Sequence, residues 1–184
     1  MSYESDRLNA DLYIDAQKEI LAEAFSHPKD QMIIASVKED NEENTDLRMV
    51  GLPLERVGLR VRDVSDYEMY GKEFTIRCWR ASGAVTEWAK MLGGYGDFML
   101  YGFAGKEIGK IDHWRIISLD KLRLKMKGFN VNTIPRKKNK DGLSDFYCFN
   151  RARFKDCIVA SSYEDDGVGR IVLTTPPICA TMSL

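Results

Sequence analysis

The sequence predicts an α/β fold (α+β in detail) of order α-β-β-β-α-β, a mixed central sheet flanked by helices. Three observations carry this. Apolar residues recur at helical spacing from Leu8 to Phe25. Three later stretches, Thr45 to Val50, Val57 to Val64 and Glu73 to Trp79, alternate as half-buried strands do. A short helical stretch then leads into Asp97 to Phe103, nearly all apolar, as expected of a strand covered on both faces.

In the first helix Leu12, Ala16, Ile20 and Ala24 are expected to share one face, with His27-Pro28 as the stop. Gln31 to Val37 is a short apolar strand or helix that periodicity does not separate, and Lys38 to Asn44 reads as a polar loop. Gly51 and Pro53, then Tyr70-Gly71-Lys72, suit antiparallel turns between the strands. Ala84 to Leu92 reads as the second helix, ended by Gly93-Gly94. His113 to Leu119 is expected as a strand and Leu119 to Met126 as a short helix. Gly128 to Asp145 reads as a basic loop, Cys148 to Ser161 as a last strand or helix, and Glu164 to Gly167 as a turn before the Pro176-Pro177 tail.

With 184 residues the chain fits one domain, 1–184, with a core at 8–120 and a basic C-terminal extension at 121–184. Hydrophobic content of 44% and charged content of 30% are ordinary for a soluble protein. No apolar run approaches a membrane span and the N-terminus is polar and acidic, so a cytoplasmic location is expected. The four scattered cysteines form no zinc-ligand spacing and no compact disulfide framework. With only His27 and His113, a histidine-based hydrolase is not expected.

The overall charge of −1 hides a strong asymmetry. Residues 1–46 hold twelve acids against four bases, a net −8, and residues 115–140 hold nine bases against one acid, a net +8. Such a separation can set a basic face for a polyanion beside an acidic site for a metal, or leave two solvated surfaces.

Metal-dependent phosphodiester cleavage needs carboxylates for a hard cation and a positive group for the phosphate. Asp46 opens a strand after a polar loop, and Glu19 or Glu23 on the first helix could point towards it. On the arginine-rich strand, Arg60 and Arg62 share a face and could contact a phosphate backbone. Arg77, Arg80 and Arg115 extend that set. Glu87 and Lys90, three residues apart, share a helical face, either as an exposed ion pair or as part of a site. Trp79, Trp88, Trp114, Tyr95 and Tyr101 could stack on bases or fill the core. Gly93-Gly94-Tyr95-Gly96 lacks the lysine of a phosphate-binding loop.

In element order and in these residues, 8–120 resembles the PD-(D/E)XK nuclease superfamily. Its core is α-β-β-β-α-β, and its site is an acid followed by a second acid and a lysine on the next strand. Asp46 matches the first acid. The second motif falls on Leu59-Arg60, or on Val61-Arg62, where the acid slot is Gly58 or Arg60 and the lysine is an arginine. In some members of the superfamily a catalytic side chain sits on the second helix, and Glu87 and Lys90 would supply the missing acid and base there. The resemblance implies a nuclease of phage or mobile-element style that uses Mg²⁺ or Mn²⁺ on DNA rather than RNA. Asp46 and Glu87 are then the metal ligands, Lys90 the base and Glu19 an auxiliary acid. Arg60, Arg62, Arg77, Lys137 and Lys138 are the nucleic-acid contacts. The alternative is a catalytically silent nucleic-acid-binding or protein-interaction module on the same fold, and the oligomeric state, homodimer included, stays open.

Overall fold

A computed structural model of the chain describes residues 11–163. The start of the first helix at Leu8, the turn at Glu164 to Gly167 and the Pro176-Pro177 tail lie outside the described residues.

The architecture is mixed α/β, with helices packed on a mixed six-stranded sheet. Its strands are β1 (Met32–Ile34), β2 (Leu47–Met49), β3 (Arg56–Arg62), β5 (Phe98–Ala104), β6 (Ile111–Ser118) and β9 (Ile158–Ser161), in that spatial order. β3 and β5 run parallel, and every other neighbouring pair is antiparallel. β4 (Glu73–Arg80), β8 (Ser144–Asn150) and β7 (Arg136–Lys138) form a separate antiparallel sheet. The helices are α1 (Ile14–Phe25), α2 (Val37–Glu43), α3 (Tyr67–Tyr70), α4 (Glu87–Leu92) and α5 (Leu119–Met126).

β5 shows why this arrangement holds together. All seven of its residues are buried, yet alternation still divides them between two cores. Phe98 and Leu100 join Leu21, Ala24, Leu47, Met49, Val57 and Ile116 beneath α1. Met99, Tyr101 and Phe103 join Phe74, Ile76, Met91, Ile117, Leu122 and Phe149 between the two sheets. Fully burying one such aliphatic side chain contributes about 1.5–3 kcal/mol, so β5 serves both cores at once.

Three features differ from the sequence expectation. Glu73 to Trp79 is a strand, but it leaves the main sheet. After β3 the chain turns sharply through Val64–Asp66 and α3, and a Cβ on Gly71 would lie 2.7 Å from the Tyr67 carbonyl oxygen. Only glycine fits that close approach. The fully buried Arg115 donates to the Gly71 carbonyl from β6 and holds the turn. The stretch expected as a C-terminal extension is built into the fold, because β8 pairs along the length of β4 and β9 edges the main sheet. On α1 the buried residues are Gln17, Leu21 and Ala24, with Leu12 exposed.

The ambiguous segment 31–37 resolves into β1 followed by α2. Ser36 caps α2 by accepting from the Glu39 backbone N–H, while the Glu39 carboxylate accepts from the Ser36 N–H. A cap of this kind is worth about 1 kcal/mol. No helix among the described residues is long and apolar enough to cross a membrane. Cys78, Cys148 and Cys157 are free thiols.

Candidate active site

Four segments meet at one end of the space between the sheets. Asp46 immediately precedes β2, and its carboxylate accepts from the Leu59 N–H of β3. Asp40 comes from α2, and its charge acts on the Asp46 carboxyl. Glu87 and Lys90 come from α4, whose N-terminus Thr86 caps by accepting from the Ala89 N–H. Lys90 is buried, and its Nζ donates to the Asp40 carbonyl oxygen at 2.9 Å.

The electrostatics follow from this crowding. Burial pushes the Asp46 carboxyl up to about 7; the Leu59 N–H opposes the rise, and the charges of Asp40 and Glu87 add to it. Asp46 and Glu87 therefore stand close enough to sense each other. Burial lowers the Lys90 pKa, and Arg80 reinforces the effect against Asp40, Glu87 and Asp46. Burial disfavours the Glu87 carboxylate too, yet Arg60, Arg77 and Arg80 outweigh it and hold Glu87 ionised below the usual carboxylate range. Buried groups pushed in opposite directions around one point make this the candidate site among the described residues.

The arginines converge from both sheets. Arg60 and Arg62 share a face of β3 and both reach Thr75 of β4. Arg60 pairs with Glu87 at 2.7 Å; Arg77 lies 3.7 Å from the same oxygen, and its backbone N–H donates to the other. All three guanidiniums sit over the Phe146 ring at 5.1–5.8 Å. A bulge between Arg77 and Trp79 shifts the register of β4 against β8, so that Arg80 as well as Arg77 acts on Glu87. The Arg80 Nε is buried and has no hydrogen-bond acceptor.

Asp46, Glu87 and Lys90, expected together from the sequence, are thus brought together with Arg60 and Arg77. Glu87, expected as a metal ligand, has both oxygens on arginine donors, which is the environment of an anchor. Glu19, expected as an auxiliary acid, is corrected: it is exposed on α1 and pairs with Lys29 at 3.2 Å, since α1 packs through Leu21 and Ala24. Arg115 is walled into the core with its guanidinium 3.9 Å from the Tyr163 ring. Tyr101 is fully buried and Trp88 packs on Tyr147, whereas Trp79 and Tyr95 are exposed. Lys137 pairs with Glu73 at 3.0 Å, and Lys138 stands exposed beside it on β7. Asp40 was missed, although Ser36-x-x-Glu39 marks the helix that carries it.

Among the described residues no group of three or more His, Cys, Asp or Glu side chains is arranged to hold a metal ion. Mg²⁺ asks for less, since one or two carboxylates suffice when water and a substrate phosphate complete the shell. Asp40 and Asp46 are both only partly buried and meet that requirement. The Asn44 backbone packs closely on Gly58 beside them: a Cβ there would lie 3.2 Å from the Asn44 carbonyl oxygen and 3.8 Å from the Asp46 Oδ2. Asp40 and Asp46 are the residues that would hold such a cation.

No family model matches the chain, and neither the curated proteins nor the solved structures contain a significant match.

Proposed function

We propose that this chain is a divalent-metal-dependent phosphodiesterase acting on nucleic acid, most simply DNA, of the PD-(D/E)XK type its sequence resembles. In this reading Asp40 and Asp46 hold the cation, and Glu87 does not. The observation that carries it is the meeting of Asp46, Asp40 and Lys90 with an arginine cluster from two different sheets. Acids beside a phosphate clamp are what hydrolysis of a phosphodiester requires.

When bound, Mg²⁺ or Mn²⁺ would polarise the phosphate and ease deprotonation of a water. The chain's own residues do the rest. Arg60 and Arg77 are held by Glu87, which orients their donors before substrate arrives. Arg80 offers a buried Nε to a phosphate oxygen. Lys90, through its bond to the Asp40 carbonyl, fixes α2 against α4 and keeps Asp40 facing Asp46. Glu87 is accordingly a positioning residue.

The second reading, a silent nucleic-acid-binding module, is favoured by one observation: the Glu87 carboxylate is consumed by arginines. One experiment separates the two. Labelled single- and double-stranded DNA is incubated with the full chain in Mg²⁺, in Mn²⁺ and in EDTA. Cleavage in either cation, abolished by EDTA and by Asp46→Asn, is expected. Binding of DNA with no cleavage in either cation would establish the silent module instead.

A further inference from the structure

A second cationic feature lies in the seam where β3 faces the smaller sheet. A cavity of about 160 Å³ is lined by Arg62, Lys137, Lys138 and Lys140, with Asn139 on its rim. Asp66 and Glu73 are the acids on its wall, so its lining carries four positive charges against two negative ones. Tyr70 supports it from below, with the Lys137 ammonium 5.0 Å and the Arg62 guanidinium 5.4 Å from its ring.

Two observations point to an anionic ligand. Arg62 is spent on Asp66 and Thr75 through its terminal nitrogens, but its Nε is buried with no hydrogen-bond acceptor. Lys138 and Lys140 form no ion pair among the described residues, so the lining keeps a positive excess that an oxyanion would balance. Size gives the second. With about 160 Å³ open to water-sized groups, the cavity has room for a tetrahedral oxyanion.

We infer that this cavity is an oxyanion subsite for a phosphate group of a nucleic-acid strand, adjacent to the phosphate at the acid pair. The inference rests on the phosphodiesterase reading for its ligand, while its geometry is independent of cleavage. Arg60 and Arg62 are two residues apart on one strand, so their Cα atoms are separated by about 6.6 Å. One face of β3 therefore presents one guanidinium to each site. The β7–β8 hairpin supplies the lysines that close the cavity from above, and Lys138 forms no ion pair among the described residues.

The test is binding of a short single-stranded DNA to the full chain in EDTA, over a series of salt concentrations. Wild type is compared with Arg62→Gln and Lys138→Gln, using strands with and without a 5′-phosphate. Lys138 is exposed, so its variant stays folded if Arg62→Gln does not. Each variant should bind on the order of tenfold more weakly. The slope of log affinity against log salt should flatten by about 0.7 for each phosphate that is no longer neutralised. A 5′-phosphate that strengthens wild-type binding but not the variants identifies a terminal phosphate, and equal binding of both strands identifies an internal one. Unchanged affinity and slope in Lys138→Gln overturn the subsite. Because EDTA leaves no free divalent cation, that result is separate from any failure of cleavage: a flattened slope with no nuclease activity keeps the subsite and removes the catalytic reading.

Discussion

Replacing Glu87 by alanine is expected to destabilise the fold by about 3–5 kcal/mol, the cost of leaving buried partners of a broken ion pair uncompensated. The Arg60 and Glu87 side chains are only 15% and 20% exposed, and Arg77 and Arg80 lean on the same carboxylate. Removing the carboxylate leaves three guanidiniums facing one another across the seam between the sheets. Glu87→Gln retains a hydrogen-bond acceptor for Arg60 and should cost clearly less. Urea denaturation measures both, with a lowered midpoint at unchanged slope as the signature of a true stability change. A loss below about 1 kcal/mol, the value of a surface pair, would show that this cluster is solvated and not an anchor.

Asp46→Asn should have the opposite sign in metal-free protein. The Asp46 carboxyl is raised from its ordinary value near 4 to about 7 by burial, with Asp40 and Glu87 adding to the rise and the Leu59 N–H opposing it. A carboxyl whose pKa is higher folded than unfolded favours the folded state at low pH and loses that contribution as pH climbs through the folded value. Stability of the wild type should therefore fall between pH 4 and pH 7. The fall is on the order of 2–3 kcal/mol once the partial exposure of the site is allowed for. Asparagine keeps an acceptor for the Leu59 N–H and cannot ionise. The variant should equal the wild type near pH 4 and exceed it at pH 8 by about that amount. Parallel pH profiles would show that Asp46 ionises freely in the folded protein.

Much of the fold was legible because its signals are local. The apolar run at Asp97–Phe103 marks β5, helical spacing marks α5 at its observed bounds, and α4 ends at Leu92 as expected but starts at Glu87, three residues after Ala84. The partner of Glu73–Arg80 was not legible, since alternation says that a segment is a strand but not which sheet receives it. Its partner, β8, lies some seventy residues away in sequence. In the site, Glu87 and Lys90 were readable from their spacing on one helical face. The neutralisation of Glu87 was not, because Arg60 and Arg77 reach it from different sheets. Asp40 is the instructive omission. The acidic composition of 38–44 reads as loop, while Ser36 and Glu39 already spell the helix N-terminus that turns Asp40 towards Asp46.

The central claim, that Asp40 and Asp46 form a cation site, is tested most directly by Mn²⁺ binding to the full chain, read from loss of the free-ion electron paramagnetic resonance signal. Wild type is compared with Asp40→Asn and Asp46→Asn at pH 8, above the value of about 7 to which burial raises the Asp46 carboxyl, with far-ultraviolet circular dichroism confirming the fold of each variant. One equivalent of Mn²⁺ should bind the wild type. Each variant should weaken that binding by at least roughly 10–100-fold, the effect of losing even an outer supporting group. Equal uptake by all three proteins, or none by the wild type at millimolar Mn²⁺, would contradict the claim and leave the arginine cluster as a binding surface alone.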